Sequence, residues 1–112
     1  MTSIETYRET LKKHAAARGL TMNPEEATVR PLLEGLLANG ERYHLRTCPC
    51  RPAAGDIAKD RDIVCPCVYA EVDVEEYGAC YCWLFVSQEW IAGAIPRQRV
   101  PERRPPEKTI GL

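Results

Sequence analysis

Several features are scarce or missing in this sequence, and each absence excludes a class of protein. The 112 residues carry a formal net charge of −1, whereas a dedicated nucleic-acid binder usually has a basic excess. No apolar run approaches the ~20 residues that a membrane-spanning helix requires. The first ten residues lack the apolar core of a secretory signal. We therefore expect a soluble, cytoplasmic protein without nucleic-acid or membrane partners, in a compartment that keeps thiols reduced.

One domain over residues 1–112 is the default for a chain of this length without internal repeats. Two helices are predicted in the first third, which contains no cysteine. Apolar side chains at helical spacing predict the first helix over residues 3–18. The sequence Asn-Pro-Glu-Glu at residues 23–26 predicts the start of the second helix, which should end at the Asn-Gly pair 39–40. Pro31 lies inside this helix and is expected to kink or divide it.

The rest of the chain predicts shorter elements. Asp62 is expected to cap a short helical turn, and the acidic stretch 71–76 is expected to form a solvated face. The apolar run 80–86 requires burial, and residues 87–92 predict a short helix that stops at a glycine. The proline-rich residues 96–112 are expected to form an extended tail across the surface.

Six cysteines dominate the chemistry, and they form three Cys-x-Cys pairs, 48/50, 65/67 and 80/82. A structural zinc site is one interpretation, although zinc ligands are usually spaced Cys-x₂₋₄-Cys. Three disulfides are a second, but the reducing compartment speaks against them. A third is a [4Fe–4S] cluster held by four thiolates, which leaves two thiols for one exchangeable disulfide.

The three motifs also carry a resemblance to a known family. In chain order they are Cys48-Pro49-Cys50-Arg51, Cys65-Pro66-Cys67 and Cys80-Tyr81-Cys82-Trp83-Leu84-Phe85-Val86. Two Cys-Pro-Cys motifs followed by a Cys-x-Cys resemble the catalytic (β) subunit of ferredoxin–thioredoxin reductase. The resemblance extends from the second helix to the end of the chain, and its details are similar to the archaeal and bacterial branch, the ferredoxin:disulfide reductases.

The resemblance implies a role for each cysteine. Four would ligate a [4Fe–4S] cluster, namely Cys48, Cys65, Cys67 and Cys80. Cys50 and Cys82 would form a redox-active disulfide beside it, with Cys50 as the exposed attacking thiol. The implied fold is mainly helical, a small single domain of short helices wrapped around the cluster.

The resemblance further implies an enzyme, an iron–sulfur disulfide reductase. Its electron donor would be a ferredoxin or a rubredoxin-like carrier, and its acceptor a thioredoxin- or glutaredoxin-like protein. A second subunit or self-association is a further candidate interaction. The alternative function is a non-enzymatic iron–sulfur electron carrier or a zinc-stabilised interaction module.

Three further residues are candidates for an auxiliary role. Tyr81 stands where plant-type members have a histidine that is thought to assist proton transfer, and tyrosine does not titrate near neutral pH as histidine does. His44 is a candidate acid–base group, with an ordinary surface or packed histidine as the alternative. Arg51 would lower the pKa of Cys50 or dock an acidic ferredoxin, unless it is an ordinary surface arginine. Residues 83–86 are expected to pack around the cluster.

Overall fold

The computed structural model describes residues 3–108, and helices dominate this part of the chain. The elements are α1 Ile4–Ala17, β1 Thr21–Met22, α2 Glu26–Tyr43, α3 Ile57–Asp60, α4 Ala70–Tyr77, β2 Phe85–Val86 and α5 Gln88–Ala92. The mainly helical class is therefore confirmed. The single domain over 1–112 stays a prediction, since residues 1, 2 and 109–112 lie outside the described part. Among the described helices, none combines the length and apolar character needed to cross a membrane.

The first helix forms where the sequence predicts it. The Ser3 side chain accepts a hydrogen bond from the Thr6 N–H and so caps α1. Tyr7, Leu11 and Ala15 recur at helical spacing and are all buried. This face packs on α2, and both helices contribute side chains to the larger of the two hydrophobic clusters.

The second helix departs from its prediction at three points. Pro31 does not divide the helix, because α2 runs unbroken from Glu26 to Tyr43, and a kink at Pro31 stays a prediction. Pro31 is exposed, while Val29 and Leu33 on either side of it are buried and hold both turns against the core. The helix begins after Glu25, whose N–H donates to the Asn23 Oδ1 at 2.9 Å, so Asn23 lies two residues before the cap position. The Asn-Gly pair 39–40 lies inside the helix.

One expectation for the middle of the chain is wrong, and a second holds only in part. The cap of the short helix α3 is Asp56, whose side chain accepts a hydrogen bond from the Ala58 N–H. The Asp62 carboxylate instead accepts from the Tyr69 hydroxyl at 2.6 Å and from Arg104 Nε at 3.0 Å. A tyrosine and an arginine therefore occupy the oxygens that a capping role would need.

The acidic stretch 71–76 forms most of α4, and it is not simply a solvated face. The Asp73 side chain is completely buried and accepts a hydrogen bond from Arg103 Nε at 2.9 Å. Glu71 pairs with Arg18, and Glu76 pairs with Arg103. Arginines from both ends of the chain thus pair with three of the four acids of this stretch.

The last part of the chain contains the predicted short helix and then a long irregular segment. Ser87 caps α5 by accepting from the Trp90 N–H, and Gly93 ends it in the left-handed region with φ of 76°. Residues 96–105 form neither helix nor strand, but Val100 and Arg104 are buried. We call residues 100–104 the C-terminal strap, because they bind α4 and the segment that follows the first cysteine motif.

Candidate functional site

Five of the six cysteines line one cavity. They are Cys48, Cys65, Cys67, Cys80 and Cys82. Arg51, Tyr81 and Phe85 complete its wall together with Ala70. All six thiols are free. The three motifs therefore converge on one place, as the sequence analysis expects for a shared centre.

A short antiparallel ladder joins the first motif to the second. Thr47 bridges Val64 across it. The Cys48 N–H donates to the Ile63 carbonyl at 2.8 Å, and the Cys65 N–H donates to the Arg46 carbonyl at 3.0 Å. These two backbone hydrogen bonds fix the positions of Cys48 and Cys65, the leading cysteines of the first and second motifs, relative to each other.

The third motif is a tight turn that closes onto β2. The Cys80 N–H donates to the Phe85 carbonyl at 2.9 Å, and the Phe85 N–H donates back to the Cys80 Sγ at 3.3 Å. Antiparallel pairing of β2 with β1 then connects this turn to the N-terminal region. A backbone N–H that points at a sulfur favours its thiolate form.

One polar side chain from the cysteine-free N-terminal region holds each motif. Asn39 donates to the Thr47 carbonyl at 2.9 Å, beside the first motif. Arg18 donates to the carbonyls of Pro66 and Cys67, at 2.6 and 2.7 Å, within the second. Asn23 donates to the Trp83 carbonyl at 2.9 Å, just after the third. We refer to Arg18, Asn23 and Asn39 as the motif anchors.

Sequence reasoning missed these three anchors. Asn23 and Asn39 are interpreted there as markers of helix ends, and Arg18 only as the last residue of the first predicted helix. Their true partners are 8 to 60 residues away along the chain. The Asn-Gly pair inside α2 is the one local signal, because an asparagine there is easier to explain by a side-chain contact than by helix propensity.

The structure places Cys50 and Cys82 next to each other at the edge of the cavity. The sulfurs of Cys48, Cys50 and Cys82 all lie within 4.8 Å of one another. Cys50 is exposed, Cys82 is half-buried, and the Cys82 sulfur lies 3.8 Å from that of Cys80. An exposed sulfur beside an interior one is the arrangement that an exchangeable disulfide needs.

The thiols differ strongly in acidity. Hydrogen bonds from Cys48 and Cys82 lower the pKa of Cys50 to about 3. The hydrogen bond with Cys50 raises the pKa of Cys48 to about 11, and desolvation raises the pKa of Cys65 well above its ordinary value. Desolvation also raises the pKa of Cys67, against the opposing effect of Arg51.

These directions fit a metal centre. Buried thiols that resist ionisation by themselves give up their protons when they coordinate a metal. Soft sulfur donors that line one cavity suit iron–sulfur chemistry or zinc.

Arg51 is not a surface arginine. Its side chain has no exposed area, and its Nε lies 2.8 Å from a carboxylate oxygen of Glu102. Its Nη1 donates to the Cys67 sulfur at 3.3 Å. Complete burial also removes it as a docking residue for an acidic partner. Its positive charge contributes to the low pKa of Cys50, after the hydrogen bonds from the neighbouring thiols.

The remaining candidates fall in different places. Tyr81 is half-buried and lines the cavity. His44 is exposed at the C-terminal end of α2 with φ of 62° and is not among the residues of the cavity wall. Its acid–base role stays a prediction.

Residues 83–86 divide between two clusters. Leu84 and Phe85 belong to the core that contains Cys67 and Cys80, whereas Trp83 and Val86 pack with Trp90 in a second cluster. The expectation that all four surround the cysteines is therefore wrong for Trp83 and Val86. Successive residues of a strand point to opposite faces, so Phe85 and Val86 separate. The Trp83 and Trp90 rings lie edge to face at 5.3 Å.

A comparison with protein families shows which family the sequence matches. Residues 1–104 match the family model described as ferredoxin thioredoxin reductase catalytic beta chain. The match includes all three cysteine motifs, the motif anchors and the C-terminal strap. Comparison with curated proteins gives no match.

Proposed function

Because this chain belongs to the family of ferredoxin thioredoxin reductase catalytic beta chains, we propose that it reduces the disulfide of a thioredoxin-like protein with electrons from a ferredoxin-like donor. The observation that carries this proposal is the cavity lined by five cysteines, with the exposed Cys50 at its edge. A metal centre inside and an accessible sulfur outside are the two parts that such a reductase needs.

In this proposal the four cysteines that hold a [4Fe–4S] cluster are Cys48, Cys65, Cys67 and Cys80. When bound, the cluster supplies electrons one at a time, which matters because a disulfide accepts two and a ferredoxin delivers one. The fit rests on the donor set, since sulfurs from all three motifs line one cavity. Phe85 and Ala70 provide its apolar wall and limit the access of water.

Cys50 and Cys82 carry out the exchange. Two electrons and two protons convert their disulfide into two thiols. The Cys50 thiolate then attacks the target disulfide, which forms a mixed disulfide and releases one target thiolate. The Cys82 sulfur lies within 4.8 Å of the Cys50 sulfur. Its attack on Cys50 releases the second target thiolate and restores the Cys50–Cys82 disulfide, so that the electrons balance.

The direction of electron flow is favourable. A plant-type ferredoxin near −400 mV and a thioredoxin near −270 mV differ by enough to release about 6 kcal/mol for two electrons. We extend the proposal to a cytoplasmic enzyme of the archaeal and bacterial branch, in which the donor is a ferredoxin or a rubredoxin-like carrier and the acceptor a thioredoxin- or glutaredoxin-like protein. Tyr81 in place of histidine and the length of the chain between the second and third motifs support this extension.

Two measurements test the proposal. A chain purified without oxygen should be brown, with about four irons and one disulfide per molecule. Stoichiometric zinc in a colourless protein contradicts it. Cys50→Ser should then abolish thioredoxin reduction and keep its iron, whereas Cys48→Ser should lose iron. Thioredoxin reduction that survives Cys50→Ser shows that the nucleophile is assigned wrongly. An iron-loaded wild-type chain that exchanges electrons but never reduces a disulfide favours the electron-carrier alternative.

A further inference from the structure

Arg51 joins the cavity to the C-terminal strap. Its Nη1 donates to the Cys67 sulfur at 3.3 Å. Its Nε and Nη2 donate to the Glu102 carboxylate at distances of 2.8 to 3.0 Å. The guanidinium thus bridges one sulfur of the cavity wall and one carboxylate of the strap.

Two aromatic rings fix the guanidinium in place. It lies 4.4 Å from the centre of the Tyr81 ring and 5.2 Å from that of Tyr69. The Arg51 side chain has no exposed area, whereas that of Glu102 is 31 % exposed. A buried cation without partners is very costly, and here a carboxylate, a sulfur and two rings stabilise it. Arg51 therefore has few alternative positions.

Glu102 is itself held by the strap. Its carboxylate accepts a hydrogen bond from the Arg104 N–H at 2.9 Å. The Arg104 side chain is fully buried and donates to the Asp62 carboxylate at 3.0 Å. The acid that faces Arg51 thus belongs to a segment fixed at the next buried arginine.

A fixed cation that donates to a cysteine sulfur has a defined electronic effect. Hydrogen bonds to the sulfurs and the net charge nearby set the potential of an iron–sulfur centre. A positive group stabilises the reduced state, which is more negative, and therefore raises the potential. The Glu102 carboxylate acts in the opposite direction, more weakly because it is farther from the sulfur and partly solvated.

We propose that Arg51 is a positioning residue that raises the reduction potential of the cluster through Cys67, and that Glu102 moderates this effect. The inference rests on the proposed function and concerns how the same site is tuned. In it, the strap contributes to the electron affinity of a centre that it does not ligate.

The experiment measures the midpoint potential of the cluster in the full chain, purified without oxygen and with its iron content determined. Arg51→Gln should make the one-electron reduction equilibrium about tenfold less favourable, a shift of about 59 mV to more negative potential. Glu102→Gln should shift the potential in the positive direction, because Arg51 then keeps its charge without an opposing carboxylate. The glutamine oxygen still accepts from Arg51, so the cation stays in place.

Arg97→Gln is the matched control. Arg97 lies in the same irregular region, pairs with Glu25 and stands over the Trp90 ring at 3.9 Å. Neither of these partners lines the cavity, so the potential should stay at the wild-type value. A shift in this control as large as that of Arg51→Gln would overturn the assignment, because any lost arginine would then act alike.

Opposite signs for Arg51→Gln and Glu102→Gln separate an electronic role from a structural one, since general loosening moves both potentials the same way. Iron-loaded variants with unchanged potentials, or with shifts of one sign, overturn the inference and leave the proposed function intact. If Arg51→Gln fails to hold iron, the Glu102→Gln variant decides the question. The inference is rejected if the potential of that variant does not shift in the positive direction. A wild-type chain without iron rejects the proposed function and this inference with it.

Discussion

Gly35, in the middle of α2, lies directly against the ring of Pro49. A methyl group at Gly35 would stand 2.8 Å from the Pro49 Cβ, closer than such atoms approach one another. Pro49 is the central residue of the first Cys-Pro-Cys motif. The helix surface and the motif are therefore fitted to each other at this point, and the missing side chain lets them meet.

Gly35→Ala should destabilise the protein, although alanine normally favours a helix interior over glycine by about 1 kcal/mol. The added methyl must push Pro49 and its flanking cysteines away, at a cost of about 1–3 kcal/mol. Thermal unfolding and the rate of iron loss to a chelator measure the effect. Gly40→Ala in the same helix is the comparison, because its methyl would stand 2.9 Å from the Arg46 Cγ, and a single side chain shifts more readily than the proline of a cysteine motif. Equal stabilisation by both alanines would contradict the close fit.

Arg18→Ala should accelerate iron loss. The substitution removes two charge-assisted hydrogen bonds to the carbonyls of Pro66 and Cys67, each worth about 1.5–3 kcal/mol. Arg8→Ala is the matched control, since Arg8 lies in the helix that ends at Arg18 but pairs with Glu26 and contacts no cysteine motif. Iron release under a chelator should be fast in the first variant and near wild type in the second. Similar rates in both would show that the second motif does not need this anchor.

Removal of iron from the wild-type chain should lower its thermal midpoint and broaden the transition. The sulfurs that would ligate iron come from residues 48 to 80, and metal binding energy contributes directly to the folding of such sites. Circular dichroism before and after anaerobic chelation measures this change. An apoprotein with an unchanged midpoint would show that α1, α2 and their core are sufficient for the fold.

Arg103→Met should destabilise the protein more at pH 7 than at pH 5. The Asp73 carboxylate is buried, and its second oxygen has no hydrogen bond among the described residues. Burial raises the pKa of Asp73 although Arg103 opposes the shift. Because the pKa of Asp73 is higher in the folded protein than its ordinary value of 3.8, its contribution to stability is largest at a pH below 3.8. That contribution is lost as the pH rises through the pKa of the folded state. Loss of Arg103 raises that pKa further and so increases the loss near neutral pH.

The control for Arg103→Met is the double variant with Asp73→Asn. Without the buried carboxylate, the difference between pH 5 and pH 7 should disappear. Thermal midpoints at the two pH values compare the single and double variants with wild type. A single variant that is equally destabilised at both values would show that Arg103 acts by packing and not by its charge.

Tyr81→Phe should keep the rate of thioredoxin reduction, because the observed contact of Tyr81 is between its ring and Arg51. Tyr81→Ala removes that ring and a cation–π contact worth about 1–2 kcal/mol, and should lower kcat/KM. A general acid–base group typically contributes a hundredfold or more to the rate. A loss of about that size in Tyr81→Phe would instead give the hydroxyl a part in proton transfer.

The cysteine motifs predict that their sulfurs lie together, and they do so because their signal is local. Each Cys-x-Cys pair places two sulfurs within one turn of chain, and three such pairs in order indicate a shared centre. The short helix α5 is equally local, with Ser87 as its cap and Gly93 as its stop. Both kinds of signal are contained within a few consecutive residues.

What the sequence analysis missed depends on distant partners. Pro31 is tolerated because buried neighbours on both sides hold α2 against the core. Asp73 can be buried because Arg103, 30 residues away along the chain, donates a hydrogen bond to its carboxylate. Arg51 looks like any arginine beside an exposed motif until Glu102 and Cys67 are known to flank it. The neighbouring sequence does not reveal that such residues are buried, because their burial depends on oppositely charged side chains that are distant along the chain.

The ladder between Thr47 and Val64 closes the intervening chain at its base. Because the backbone hydrogen bonds of Cys48 and Cys65 are made to residues beside the bridge, the sulfurs do not depend on the length of the loop between them. Residues 53–56 lie outside any helix or strand and are half-buried or exposed. Insertions or deletions there should disturb the hydrogen bonds of Ala54 and Gly55 with Asp60 and keep the two backbone hydrogen bonds that position Cys48 and Cys65. Homologous chains are therefore expected to differ in the spacing between the first two motifs while they keep the motifs themselves.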